Sequence, residues 1–249
     1  MLRRKRLLVL LAFLGLVGIG WANRPRDEPS RVTPEEAVRS FRAESGSGAS
    51  GSPLFGVYRY STKGSESVDL GLLATTHDYG GVSTITLSPG SCGTIERWQV
   101  LQGRWWETES CPGTKALELR RVIEFHEFFG SAKEDTFRCR GATVSDPPLV
   151  RVDSRFASIC SSKGSSFVSS SRIVDLESME VKSIRFPAVR TFSQISLEGD
   201  TVGRARIEDW RRRSDGVLLK RVVSSTADTG EGEYTESYEL ELLDPQPQR

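Results

Sequence analysis

Cys92-Gly-Thr-Ile-Glu-Arg-Trp-Gln-Val-Leu-Gln-Gly-Arg-Trp-Trp-Glu-Thr-Glu-Ser-Cys111 decides how the rest of the chain is read. Two runs rich in β-branched and aromatic residues flank Gln102-Gly103, the pattern of a β-hairpin. Counted outward from that turn, Cys92 and Cys111 fall opposite each other. The strand continues beyond it: Leu117, Leu119, Ile123 and Phe125 share one face, opposite Glu118, Arg120 and Glu124. Period two also holds over Phe55–Tyr60, Ser67–Leu70 and Val82–Leu87, and again over Phe186–Leu197, Gly203–Trp210 and Val217–Val223. It is clearest near the C-terminus, where Tyr234, Tyr238, Leu240 and Leu242 face away from Thr235, Ser237, Glu239 and Glu241. One apolar and one wet face mark an antiparallel sheet covered on one side. Turns are expected at Gly199-Asp200 and Ser214-Asp215-Gly216.

Outward toward the N-terminus, Thr33-Pro34-Glu35-Glu36 carries a helix start: a capping threonine, proline at the first position and a capping-box glutamate. The expected fold is therefore mainly β, a short N-terminal helix packed on a large curved antiparallel sheet, either a half-barrel or two related half-sheets. The two-half version has one further sign, the echo of Ile95-Glu96-Arg97-Trp98 in Ile207-Glu208-Asp209-Trp210 on either side of Pro147-Pro148. The organisation reads as an export segment at 1–22, a tether at 23–32, the helix at 33–44, a Gly/Ser linker at 45–53, the β-rich domain at 54–244 and a tail at 245–249.

Arg3-Arg4-Lys5-Arg6 precede an unbroken apolar run from Leu7 to Ala22. A basic flank before such a run is an export signal or a signal-anchor. Gly20 and Ala22 suit cleavage, whereas Trp21 and the following Arg24 and Arg26 suit retention, and both readings stay open. Either way the domain faces outward, and the membrane is a partner through this segment. Six of the 34 basic residues precede Asp27 and no acid does, so the remainder carries 28 basic against 33 acidic groups, net −5. That balance does not suit nucleic acid, whose phosphates call for a basic face.

In an exported chain four cysteines imply two disulfides, here Cys92–Cys111 and Cys139–Cys160. Their spacings contain no C-x-x-C, so neither a metal site nor a cofactor is expected. Catalytic signatures are missing: His126 has no second histidine four residues on, and His77 and His126 have no G-x-S-x-G serine to serve. Both histidines read as surface or strand-end polar groups. Arg204, Arg206, Arg211, Arg212, Arg213, Lys220 and Arg221 gather around Trp210 and form either a basic patch or a solvated face interleaved with Glu208, Asp209 and Asp215.

Trp98, Trp105 and Trp106 are the candidate ligand-binding residues. Adjacent tryptophans in a strand point to opposite faces, so one of Trp105 and Trp106 needs a cover: the helix, the other half of the sheet, or a ligand.

Tyr58-Arg59-Tyr60-Ser61-Thr62-Lys63-Gly64, His77-Asp78-Tyr79, Cys92-Gly93 with Trp98, and Tyr234-Thr235-Glu236-Ser237-Tyr238 resemble elements of exported proteins of actinobacteria. The order of tethered N-terminus, helix and long antiparallel sheet is similar to the LolA-like and LppX-like envelope lipid carriers. That likeness implies a concave apolar face that holds acyl chains; the lipoprotein cysteine of such carriers is not present at the end of the apolar run. The expectation is an envelope protein that binds a lipid or amphipathic ligand without catalysing a reaction, or alternatively a cell-surface interaction module, with an unrecognised hydrolase third.

Overall fold

The computed structural model describes residues 29–45, 54–113, 116–145 and 151–249. The apolar run at 7–22, residues 46–53 of the Gly/Ser linker and Pro147-Pro148 lie outside the described residues. Among the described residues no helix is long and apolar enough to cross a membrane.

Helix α1 (Pro34–Ser45) precedes strands β1 (Gly56–Asp69), β2 (Ala74–Asp78), β3 (Gly81–Pro89), β4 (Thr94–Leu101), β5 (Arg104–Pro112), β6 (Ala116–Phe128) and β7 (Ser131–Ser145). Then follow β8 (Arg155–Ser161), β9 (Ser165–Val181), β10 (Ile184–Gly199), β11 (Val202–Arg212), β12 (Leu218–Asp228) and β13 (Glu233–Leu242). Each strand from β3 to β13 pairs antiparallel with the next, and β13 returns to pair with β1 over Tyr60–Asp69. The result is a closed twelve-strand barrel with β2 as an extra strand.

Neither the half-barrel nor the two half-sheets expected from the sequence is what forms. Long antiparallel strands twist and coil, and closure removes the two edges that an open sheet of this size would expose. Cys139 pairs directly with Cys160 across β7 and β8, so the sheet runs unbroken through the point where two halves would meet.

β1 carries the seam. Its other edge takes β3 over Gly56–Thr62 and β2 over Ser65–Asp69 in one continuous register, so β2 and β3 act as one strand interrupted at Tyr79-Gly80. At the seam a Cβ on Gly64 would lie 2.1 Å from the Ser237 carbonyl oxygen, and its φ of +131° suits only glycine.

The capping box forms as read: the Glu36 carboxylate accepts from the Thr33 amide at 2.8 Å, and the Glu36 amide donates to the Thr33 hydroxyl at 3.2 Å. Ala37 and Phe41 of α1 pack outside the barrel on Val57. Arg42 donates to the Arg249 carbonyl, and Gln248 pairs with Val57, so residues 245–249 are laced onto β1. Both disulfides join the expected partners, with Cα–Cα separations of 5.3 Å for Cys92–Cys111 and 4.0 Å for Cys139–Cys160. They place the domain in an oxidising, extracytoplasmic or secreted setting.

The two sides of the barrel are filled differently. On one side Tyr58, Tyr60, Ile85 and Trp98 from β1, β3 and β4 pack against Ala188, Leu218, Val223 and Leu240 from β10, β12 and β13. There the walls touch, and the Tyr60 hydroxyl donates to the Leu218 carbonyl at 2.8 Å. The second cluster is Leu119, Val122, Phe137, Cys139, Cys160 and Phe167, with Ile195 and Leu197 against it, and every member belongs to β6–β10.

Candidate functional site

The inner face of the barrel holds two sets of charged side chains. The lower set is closed. Arg221 donates twice to Asp209 at 2.6 Å, and Arg211 donates to Glu96 at 2.7 and 3.0 Å and to Asp209 at 3.3 Å. Two cations meet two carboxylates, so the set is neutral. Burial pushes the Glu96 and Asp209 carboxyls up, but the arginines outweigh it and hold both below the usual carboxylate range. The quartet ties β4 to β11 and β12 across the interior, and the Arg221 guanidinium lies 4.7 Å from the Trp106 ring centroid. Such an arrangement fixes the distance between walls; it leaves no free charge for chemistry.

The upper set is built differently. Glu66 on β1 is 0% exposed, accepts hydrogen bonds from three groups on three other elements and forms an ion pair with a fourth. His77 Nδ1 of β2 stands 3.1 Å away, His126 Nδ1 of β6 3.3 Å, the Tyr234 hydroxyl of β13 3.2 Å and Arg104 Nε of β5 3.7 Å. Arg104 spends its fork on Glu236, at 2.9 and 3.1 Å, and Glu236 also accepts the Tyr79 hydroxyl at 2.8 Å. Burial would raise the Glu66 carboxyl, yet the two imidazoles and Arg104 bring it down to about 2. Burial pushes the Tyr79 and Tyr234 hydroxyls well up, with the neighbouring Glu236 charge adding to it, so both remain donors. Phe128 stacks on His77 at 4.7 Å, and His126 meets Tyr234 edge-on at 5.1 Å.

Of the two roles expected of the histidines, surface polar group or strand-end hydrogen bonder, both take the second, near the ends of β2 and β6. Strand alternation turns them inward, and a buried carboxylate needs donors more than the surface needs polar groups. Of the two, His126 stays within reach of solvent, 23% exposed, with Nδ1 committed to Glu66 and Nε2 facing outward from that bond. Among the described residues no group of three or more His, Cys, Asp and Glu is placed to hold a metal ion. All four cysteines are in disulfides.

The tryptophans separate as alternation requires. Trp98 is 0% exposed, stacks on Tyr238 at 4.5 Å and donates to the Ser83 hydroxyl at 3.1 Å. Trp106 faces inward with it. Trp105 faces out, and its cover comes from the chain itself: the Arg97 guanidinium 4.0 Å from the ring centroid and Phe125 stacked at 5.3 Å.

The group of cations around Trp210 is divided: Arg204, Arg206 and Arg213 are exposed, and the other four are paired. Arg211 and Arg221 are inside, Arg212 pairs with Asp215 at 2.8 Å, and Lys220 pairs with Glu239 and Glu241. The upper set was missed because Glu66 and Glu236 interrupt apolar faces otherwise made of tyrosines, leucines and a threonine. A charge on the apolar face of an alternating strand is the signal that could have found them.

Compared with family profiles, curated proteins and solved structures, the chain has no match in any of the three.

Proposed function

We propose that this is an extracytoplasmic, non-catalytic binding protein that holds a lipid or other amphipathic molecule against the inner wall of β6–β10. In this reading the N-terminal segment delivers the domain across the membrane or keeps it there. The supporting observation is the one-sided apolar cluster: Phe137, Phe167, Ile195 and Leu197 face inward, but the opposite wall supplies no member of their cluster. In this reading an apolar ligand lodges by parting the members of this cluster, whose buried residues are no more than 8% exposed. The outward faces are polar: on β1 and β13 they carry Lys63, Ser65, Ser237, Glu239 and Glu241, the reverse of a lipid-embedded barrel. The alternative, a cell-surface interaction module, would use an exposed sheet edge or Arg211–Arg213; of those three, Arg211 is spent inside, Arg212 is paired with Asp215 and Arg213 is exposed.

The test is displacement of N-phenyl-1-naphthylamine fluorescence from the 249-residue chain by dodecanol. Leu197→Glu, inside, abolishes the binding that depends on the barrel, whereas Ile159→Glu, outside, preserves it. Equal effects of the two substitutions in folded protein would defeat the reading.

A further inference from the structure

Residues paired across neighbouring strands send their side chains to the same face of the sheet. On β8 and β9, Cys160 and Phe167 are turned into the barrel, so the adjacent Ile159 and Val168 point out. These two are paired with each other and stand 56% and 44% exposed. Their outward row continues to Arg140 of β7 on one side and, through Ser196 of β10, to Arg204 of β11 on the other. Arg138 lies on the next outward row toward one end of the barrel. Arg206, and then Arg155 with Arg172, lie on the next two rows toward the other end.

All six arginines are exposed, and none forms an ion pair among the described residues. Two acids share these rows. Glu208 is taken by Arg190 at 2.7 Å, and Glu198, diagonal to Arg204, forms no ion pair among the described residues. The face therefore carries a cationic excess in a chain whose residues from Asp27 onward sum to net −5. Like charges gathered on one face repel one another, and here the protein supplies no acid to neutralise them.

We propose that the outer face of β7–β11 docks on a bilayer rich in anionic phospholipid. The guanidinium groups match lipid phosphates in planar, two-pronged contacts. Ile159 and Val168, in the midst of the arginines, enter the boundary between head groups and acyl chains. That apolar centre favours a bilayer over a soluble polyanion, which would match the arginines alone. An N-terminal segment that keeps the domain at the membrane supplies the bilayer at high effective concentration. The docking face goes beyond the lumen reading and does not depend on it.

The experiment uses the whole chain in lipid nanodiscs of phosphatidylcholine, with or without phosphatidylglycerol, containing a gadolinium-chelating lipid. Methyl NMR reads which side of the barrel meets the bilayer, and the N-terminal segment is the same in every sample. With phosphatidylglycerol, the Ile159 and Val168 methyls broaden. Leu72, exposed on the turn after β1 and half-way round the barrel from β8, stays sharp. Each arginine at an anionic surface changes the docked-to-free ratio about fivefold, so Arg140→Gln with Arg204→Gln lowers it roughly twenty-five-fold and restores sharp lines. Raising the salt from about 0.05 to about 0.5 M does the same in the parent. Ile159→Glu, read at Val168, also releases the face and keeps the test available if the arginine variant fails to fold. Equal broadening in phosphatidylcholine alone, broadening at Leu72 as strong as at Ile159, or broadening that survives the substitutions overturns the proposal. Polyphosphate that perturbs the two methyls as strongly as the bilayer assigns the face to a soluble polyanion and overturns it too. So do concentration-dependent shifts without lipid, which assign the face to a second copy of the chain. None of these outcomes alters displacement of the dye by dodecanol, so lumen binding stands or falls separately.

Discussion

Replacing Glu66 with glutamine retains the shape of the side chain and removes its charge. The carboxyl is lowered from an ordinary value of 4.5 to about 2, because the His126 and His77 hydrogen bonds and the Arg104 charge together outweigh its burial. The folded value lies below the unfolded one. Its contribution to stability is therefore complete above about pH 4.5 and is lost as the pH falls toward 2. Linkage converts that difference into about 3 kcal/mol at pH 7. Glu66→Gln is accordingly less stable than the parent by about 3 kcal/mol at pH 7, a shift of roughly 1 to 2 M in the urea midpoint. The difference narrows below pH 4.5, is small near pH 2, where the parent's own carboxylate is half protonated, and vanishes below that. Other carboxylates titrate in both proteins and cancel in the comparison. The assay is urea unfolding with the disulfides intact at pH 7, 5, 4 and 3, followed by tryptophan fluorescence and circular dichroism to establish a single transition. A difference unchanged from pH 7 to pH 3, or a variant as stable as the parent at pH 7, refutes the reasoning.

The neutral quartet behaves otherwise. Arg221→Met leaves Asp209 buried with only Arg211 at 3.3 Å, and costs about 3 to 5 kcal/mol in the same unfolding assay, while adding Asp209→Asn recovers most of the loss. The two adjacent kinds of tryptophan separate by energy: Trp98→Ala costs about 3 to 5 kcal/mol, whereas Trp105→Ala, lying outside between Arg97 and Phe125, costs less than half of that. Gly64→Ala places a methyl against the Ser237 carbonyl at the barrel seam, and lowers the melting temperature more than Gly71→Ala, whose added Cβ would touch nothing within 4 Å.

The local layer of this fold is legible in the chain. The alternation at 234–242, the capping box at Thr33 and Glu36, and the hairpin between Cys92 and Cys111 each depend on neighbours a few residues apart, and each forms as read. Closure is different in kind. Pairing Tyr60 with Leu242 joins residues from opposite ends of the domain, and period two in either strand is the same whether the sheet is open or closed. The site was hidden for a related reason. Glu66, Arg104 and Glu236 come from three strands far apart in sequence, and each alone looks like one polar residue in a strand. Only their shared inward direction makes a buried cluster. His77 and His126 needed the same information, since an imidazole facing a buried carboxylate and one facing water have the same letter in the sequence.

The central claim is that the inward apolar cluster of β6–β10, drawn from one wall alone, is where a ligand lodges. Methyl-resolved NMR of the Ile, Leu and Val side chains during titration with dodecanol tests it most directly. The account predicts shifts at Leu119, Val122, Ile195 and Leu197, with Ile85, Leu218 and Leu240 unmoved in the packed half. Methyls of both halves moving together, or none moving while the alcohol saturates the chain, would contradict it.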